Sequence, residues 1–297
     1  MPTVNEWFFP RGSLARQGWT AVVDASLPGW AHTGIRIAEL DGDTPALPAA
    51  GVERMVVPLA GTFTVEADGE TYRIGGRASV FDGPTDVLYA GVGTAVRISG
   101  AGRVAVAEAP ATETLPVTLL PADEVPVEIR GAGTSTRQVH NFGVPGPLAA
   151  QKLIVCEVIT PAGNWSSYPA HKHDEATEAE SRLEEIYYFE TALTRGAGDR
   201  PGADPFGMFA TTSSPAGEIE TTAIVRTGDI ALVPYGYHGP AAAAPGYDLY
   251  YLNVMAGPDP ERAWRISDDP ASAWIRDAWA DQTPDPRLPY GDKERSG

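Results

Sequence analysis

Residues 63–74, FTVEADGETYRI, decide the class of fold. Strand-forming Val, Thr, Tyr and Ile flank Asp68-Gly69, a dipeptide suited to a two-residue hairpin turn in which both central residues take positive φ. Outward from this hairpin, 53–61 ERMVVPLAG, 78–84 ASVFDGP, 86–99 DVLYAGVGTAVRIS and 102–109 GRVAVAEA are strand-length pieces separated by DG, GG, GP and GVG turns. A second series of the same style follows: 152–167 KLIVCEVITPAGNWSS, 183–190 LEEIYYFE, 207–212 GMFATT, 221–240 TTAIVRTGDIALVPYGYHGP and 247–257 YDLYYLNVMAG. The pattern predicts a mainly β chain of two similar barrels or sandwiches, over residues 1–120 and 121–297. Residues 120–151, rich in Pro, Gly and small polar side chains, read as the crossover between them. In 268–282, Trp274, Ile275, Ala278 and Trp279 fall at helical spacing after an Asp-Pro start, predicting a short helix packed on a barrel.

Composition narrows the function. With 43% hydrophobic and 21% charged residues, the 297-residue chain has the makeup of a packed globular protein. A formal charge of −17 without any cluster of Lys and Arg argues against nucleic acid and against anionic membranes as partners. Cys156, the single cysteine, sits in the apolar run LIVCEVI and reads as a buried core residue. The opening MPTVNEWFFPRGS has no basic segment followed by an apolar one, and nowhere do eighteen apolar residues run together, so a cytoplasmic location is expected.

Chemistry concentrates in 168–190, YPAHKHDEATEAESRLEEIYYFE. Alternation on a strand places His171 and His173 on one face and Lys172 on the other. EEIYYF offers a carboxylate, and the turn GYHGP offers a third imidazole at His238. Three His and one Glu form a mixed N/O set suited to a divalent transition metal such as Zn, Mn, Fe, Co or Ni, with coordination positions left open. A lone HxH is weak evidence; the order HxH, then Glu on a later strand, then His after a Gly-rich turn is that of ligands in a double-stranded β-helix.

The chain resembles the cupin superfamily in this order, and more closely the 5-deoxy-glucuronate isomerase family of myo-inositol catabolism. VVPLAGTFTV, GRASVFDGPTDVLY, NWSSYPAHKHD, LEEIYYF, VPYGYHGPAAAAPGYDLYYLNVMAGP and ERAWRISDDPASAWIRDAW carry the resemblance across both halves. It implies a bicupin of two double-stranded β-helix (jelly-roll) barrels, with metal only in the second; residues 50–110 contain no histidine. It also implies His171, His173, Glu185 and His238 as ligands, with Glu184 as the competing carboxylate. Glu185 is preferred because related sugar-acid isomerases place their ligand Glu directly before an aliphatic-aromatic pair. Ala170 replaces a usual Pro, Phe189 a frequent His, and residues 191–220 diverge. Homo-oligomers are common among bicupins, although no self-complementary surface is evident.

The implied reaction converts 5-deoxy-D-glucuronate, a small sugar acid, to 2-deoxy-5-keto-D-gluconate. Such an aldose-ketose isomerisation moves a proton from C2 to C1 through an enediol, so it needs an electrophile at the oxygens and a base. Candidates for the base are a metal-bound hydroxide, Tyr187 and His140. Candidates to hold the carboxylate are Arg137, Lys172 and Arg182, with Arg137 preferred and Lys172 disfavoured by alternation. Tyr251 and Asn253 share one strand face and are candidates to line the pocket, leaving Tyr250 on the other. Two alternatives use the same features: an Fe(II) dioxygenase with the same ligands, and a non-catalytic sugar-acid-binding bicupin.

Overall fold

The computed structural model describes residues 4–291, so the start of the first expected unit and the end of the second lie outside the described residues. Three antiparallel sheets build the molecule. The first contains Ala21–Val23, Gly34–Asp43, Val96–Pro110, Val52–Ala67, Val87–Ala90 and Thr118–Leu120 in that spatial order, with Glu70–Arg77 paired to Val52–Ala67. Asp68 and Gly69 turn the expected hairpin with φ of 51° and 77°, leaving Ala67 opposite Glu70.

Two pairs of pieces expected to be separated by turns are instead continuous strands, Val52–Ala67 and Val96–Pro110. The glycines between them bend the strand without ending it. Gly61 has a φ of 101°, and a Cβ there would come 2.0 Å from the Ala101 carbonyl oxygen on the neighbouring strand. Bulges around Pro58–Phe63 also shift which residues face which side. Before them Met55, Val57 and Leu59 point into one core; after them Phe63, Val65 and Ala67 point into another.

The other two sheets face each other. One runs in the order Phe8–Phe9, Ile230–Val233, Glu184–Leu193, Tyr247–Ala256, Ile154–Thr160, Arg137–Gly143 and Val127–Arg130. The second runs Thr221–Val225, Gly207–Thr212, Tyr237–Ala243, His171–Lys172 and Ser267–Asp268, with Trp165–Ser166 also paired to Tyr237–Ala243. Much of the expected crossover is therefore strand, and it joins the second unit. Phe8–Phe9 also crosses to that unit, pairing with Ile230 and Ala231. The tail helix is one turn, Ile275–Ala278, continued by a tighter turn over Trp279–Asp281. Among the described residues no helix is long and apolar enough to cross a membrane.

Alternation sorts the apolar side chains into three cores. Val56, Phe63, Val65, Ile74 and Ile98 fill the first unit; Ile154, Cys156, Val158, Phe189 and Phe209 fill the second. Between the units, Met55, Val57, Tyr89 and Ala105 pack with Val155, Ile186, Tyr188 and Leu252. Burial of this apolar area contributes roughly 25 cal/mol per Å² removed from water.

Polar groups also cross this seam. Arg77 from the first unit donates twice to Glu157 in the second, at 2.7 and 2.6 Å, and the same carboxylate accepts from Tyr250 at 2.7 Å and His140 Nδ1 at 2.5 Å. Gln138 Nε2 donates to His140 Nε2, which leaves Nδ1 to donate to Glu157. Glu184 accepts from the backbone N–H groups of Ala31, His32 and Thr33 at 3.0, 2.7 and 3.2 Å.

Candidate metal centre

The second unit carries its polar cluster at one end of the space between its two sheets. His171 lies on a short strand directly opposite His238. Glu185 comes from the facing sheet, and His173 follows the short strand, its carbonyl accepting from Leu183 N–H at 2.9 Å. One potential ligand atom each from His173, Glu185 and His238 lies within 4.8 Å of the others. His173 Nε2 is 2.8 Å and His238 Nε2 is 3.1 Å from the same oxygen, Glu185 Oε2. His171 stands beside this cluster without being part of it, its ring centroid 4.5 Å from that of His238.

Backbone carbonyls orient the rings. Nδ1 of His171, His173 and His238 faces the carbonyls of Pro169, Leu183 and Gly236 at 3.4, 3.1 and 3.1 Å. A carbonyl can only accept, so each Nδ1 carries the proton, and in the neutral ring Nε2 presents its lone pair. His238 Nε2 is buried without a hydrogen-bond partner: its approach to Glu185 is close but lacks hydrogen-bond geometry. Lone pairs turned on a buried carboxylate require positive charge between them, supplied by a proton or a cation. Donors each about 2.1 Å from one ion lie about 3 Å apart when they subtend a right angle, the separation found here. The donor set fits a divalent transition metal.

The charges agree. Burial opposes ionisation of Glu185, yet His238 and His173 hold its carboxyl far below the usual range. Burial also opposes charge on His173, which the hydrogen bond to Glu185 outweighs, raising it. His171 is pushed well below its usual range by burial and then by the neighbouring His238.

A cavity of about 220 Å³ opens beside the cluster, lined by His171, Glu185, Tyr187, Tyr251, Asn253 and Arg137 among others. Arg137 is buried, donates to the Ser135 carbonyl at 2.9 Å and lies 5.4 Å over the Trp279 ring, with no carboxylate salt-bridge partner among the described residues. Burial pushes its guanidinium down to about 10, so it remains charged at neutral pH. Asn253 Nδ2 is buried without a partner. Burial, and then Glu185, push the Tyr187 phenol well above its usual range, so it is a proton donor at neutral pH and not a free base.

Three candidates fall elsewhere. His140 is three residues from Arg137 on one strand and therefore on the opposite face, where Glu157 and Gln138 occupy both ring nitrogens. Lys172 Nζ is committed to Asp174, Glu180 and Glu175 at 2.8, 2.9 and 3.2 Å. Arg182 is exposed and pairs with Asp259 at 3.0 Å in a separate surface groove. Of the adjacent carboxylates, Glu185 faces the imidazoles and Glu184 the loop at 31–33.

Sequence reasoning missed Ser167, Arg130, Trp264 and Arg276, which also line the cavity. Arg130 is brought there by its strand, on which it lies directly opposite Arg137. Trp264 and Arg276 arrive because Ser267–Asp268 adds to the strand carrying His171, a long-range pairing that no local pattern announces.

The KduI/IolB family model matches residues 8–275. A 5-deoxy-glucuronate isomerase of Geobacillus kaustophilus (strain HTA426) is 38% identical over 281 residues, covering 93% of this chain and 97% of that protein. One of Lacticaseibacillus casei is 37% identical, covering 86% and 92%. The crystal structure of an IolB-like protein from Salmonella typhimurium LT2 superposes with a TM-score of 0.80 at 35% identity, covering 91% of this chain and 99% of that one. An oxalate decarboxylase of Lactobacillus farciminis, 12% identical with a TM-score of 0.60 and 90% coverage of both chains, shares the bicupin fold alone. By model, relatives and structure alike, the chain belongs to the KduI/IolB family.

Proposed function

We propose that this enzyme is an aldose-ketose isomerase that converts 5-deoxy-D-glucuronate to 2-deoxy-5-keto-D-gluconate, a step of myo-inositol catabolism. The observation that carries the reading is that Glu185 of the metal-type cluster, His171 beside it and Arg137, which has no carboxylate partner among the described residues, line one cavity in a member of this family. His173, Glu185 and His238, with His171 as the fourth donor, would hold a divalent transition metal, which when bound polarises the substrate's carbonyl and hydroxyl oxygens and favours loss of the C2 proton. The first 120 residues supply none of these donors and act as a scaffold.

The chain's own groups orient the substrate. Arg137, its guanidinium backed by the Trp279 ring, receives the carboxylate, for which its planar fork gives two parallel hydrogen bonds. Asn253 Nδ2 donates to an oxygen along the chain of the sugar acid, beside the hydroxyls of Tyr187 and Tyr251. Apolar walls at Val139 and Val158 limit water around the reacting carbons. The test is proton NMR in D2O with the metal-analysed enzyme and 5-deoxy-D-glucuronate. Conversion to the ketose, abolished by a chelator and accompanied by deuterium at C1, is the expected result. No conversion at full metal occupancy defeats the proposal.

A further inference from the structure

Among the described residues four non-glycine residues take positive φ, and Ser167, at 46°, is the buried one of the four. Asn5, Gln17 and Asp68 are not buried and meet water at turns, where such a backbone is readily accommodated. A side chain in the left-handed region is costly, and a buried instance next to a cavity points to a constraint worth that cost. The constraint is visible on both sides of Ser167. Its carbonyl abuts Gly239, where a Cβ would come 1.8 Å from the Ser167 oxygen, so the chain is pinned against the residue after His238. Its Oγ lies 3.2 Å from the Tyr187 hydroxyl and 3.1 Å from the Tyr251 hydroxyl.

Counting protons shows what this achieves. Three hydroxyls joined by two hydrogen bonds use two of their three protons, whichever way each bond runs. Within the trio one O–H is always left over, and all three residues line the cavity that His171 and Glu185 share. We infer that Ser167 is a positioning residue, whose hydroxyl clasps the two phenols so that the spare O–H donates to an oxygen of the open-chain sugar acid. The inference rests on the isomerase reading. Ser167 acts through Tyr187 and Tyr251, so its effect depends on their hydroxyls.

The experiment is a mutant cycle on the metal-loaded full chain, with two readouts. One is kcat/KM for 5-deoxy-D-glucuronate; the other is calorimetric affinity for the same acid reduced at C1 with borohydride, which cannot isomerise. Ser167→Ala is expected to lower both about tenfold. In a Tyr187→Phe/Tyr251→Phe background the same change is expected to add nothing. Ser167→Gly relieves the left-handed backbone, so it should melt no lower than Ser167→Ala while losing the same tenfold, which separates positioning from folding. Wild-type values in Ser167→Ala, or a loss that adds fully to that of the two phenylalanines, overturn the inference. If the native enzyme leaves the uronate unchanged while Ser167→Ala still weakens binding of the reduced acid, the isomerase reading fails and the clasp stands.

Discussion

The two units are both antiparallel and differ in what fills them. Inside the first, Phe63, Val65, Ile74, Leu88 and Ile98 pack as a continuous apolar core. Inside the second, Tyr187, Phe189, Phe209 and Tyr251 line part of the interior, and the remainder holds three imidazoles, a carboxylate and an arginine. Burying such groups costs several kcal/mol each unless they find partners, and here some partners are absent from the chain itself: His238 Nε2 and Asn253 Nδ2 have none. The first interior is closed by apolar packing, whereas the second turns polar side chains onto a cavity. Function is read here from where polar side chains converge on a cavity, and not from the sheets that carry them.

The sharpest way to break this contrast is at the cluster. His238→Ala should abolish bound metal, measured by elemental analysis, and lower turnover by about 10³-fold or more while the circular dichroism spectrum is kept. Full turnover in that variant would remove the cluster from the mechanism.

Next in size is the seam between the units. Glu157→Gln leaves Arg77 as a buried charge without a counter-ion, and should destabilise the protein by about 3–5 kcal/mol in denaturant melts. The Arg77 and His140 partners, working against burial, hold the Glu157 carboxyl down from 4.5 to about 2. A carboxyl depressed in the folded state stabilises the fold above its unfolded pKa, so this contribution is present above pH 4.5 and lost as pH falls through about 2. Stability of the native protein, followed against Glu157→Gln, should converge on the variant's across that acid window.

A smaller effect is expected at Arg137. Arg137→Met should raise KM for the uronate roughly 30- to 100-fold with a lesser effect on kcat, which steady-state kinetics would resolve. Unchanged KM would place the carboxylate elsewhere. Smallest of all is Ile98→Val in the first core. A loss of about 1 kcal/mol in stability with normal turnover per folded molecule would sharpen the contrast, and a matching loss of turnover would blur it.

Much of this was legible from residue patterns, with limits that have physical causes. The Asp68-Gly69 hairpin follows from local chemistry because its turn demands two positive φ values. Gly61, Gly100 and Gly102 read equally well as turns or bends, and cross-strand partners made them bends within long strands. The order of His171, His173, Glu185 and His238 was visible along the chain, and so was the outward turn of Lys172. Alternation, carried one residue further, also forbids Arg137 and His140 from sharing a face. The outer wall of the cavity was illegible, since Trp264 and Arg276 depend on a two-residue strand pairing with the segment of His171.

Glu184 and Glu185 sit side by side on one strand and point to opposite faces, one receiving three backbone N–H groups of the first unit and the other meeting the imidazoles. The strand of Glu185 is thus moored from behind. A shortened gene encoding only the second unit would strand Glu184 and Glu157 without their partners and bare the apolar face of Val155, Ile186, Tyr188 and Leu252 to water. The half outside the imidazole cluster is consequently not expendable: expression and engineering of this enzyme must treat the pair as a single piece.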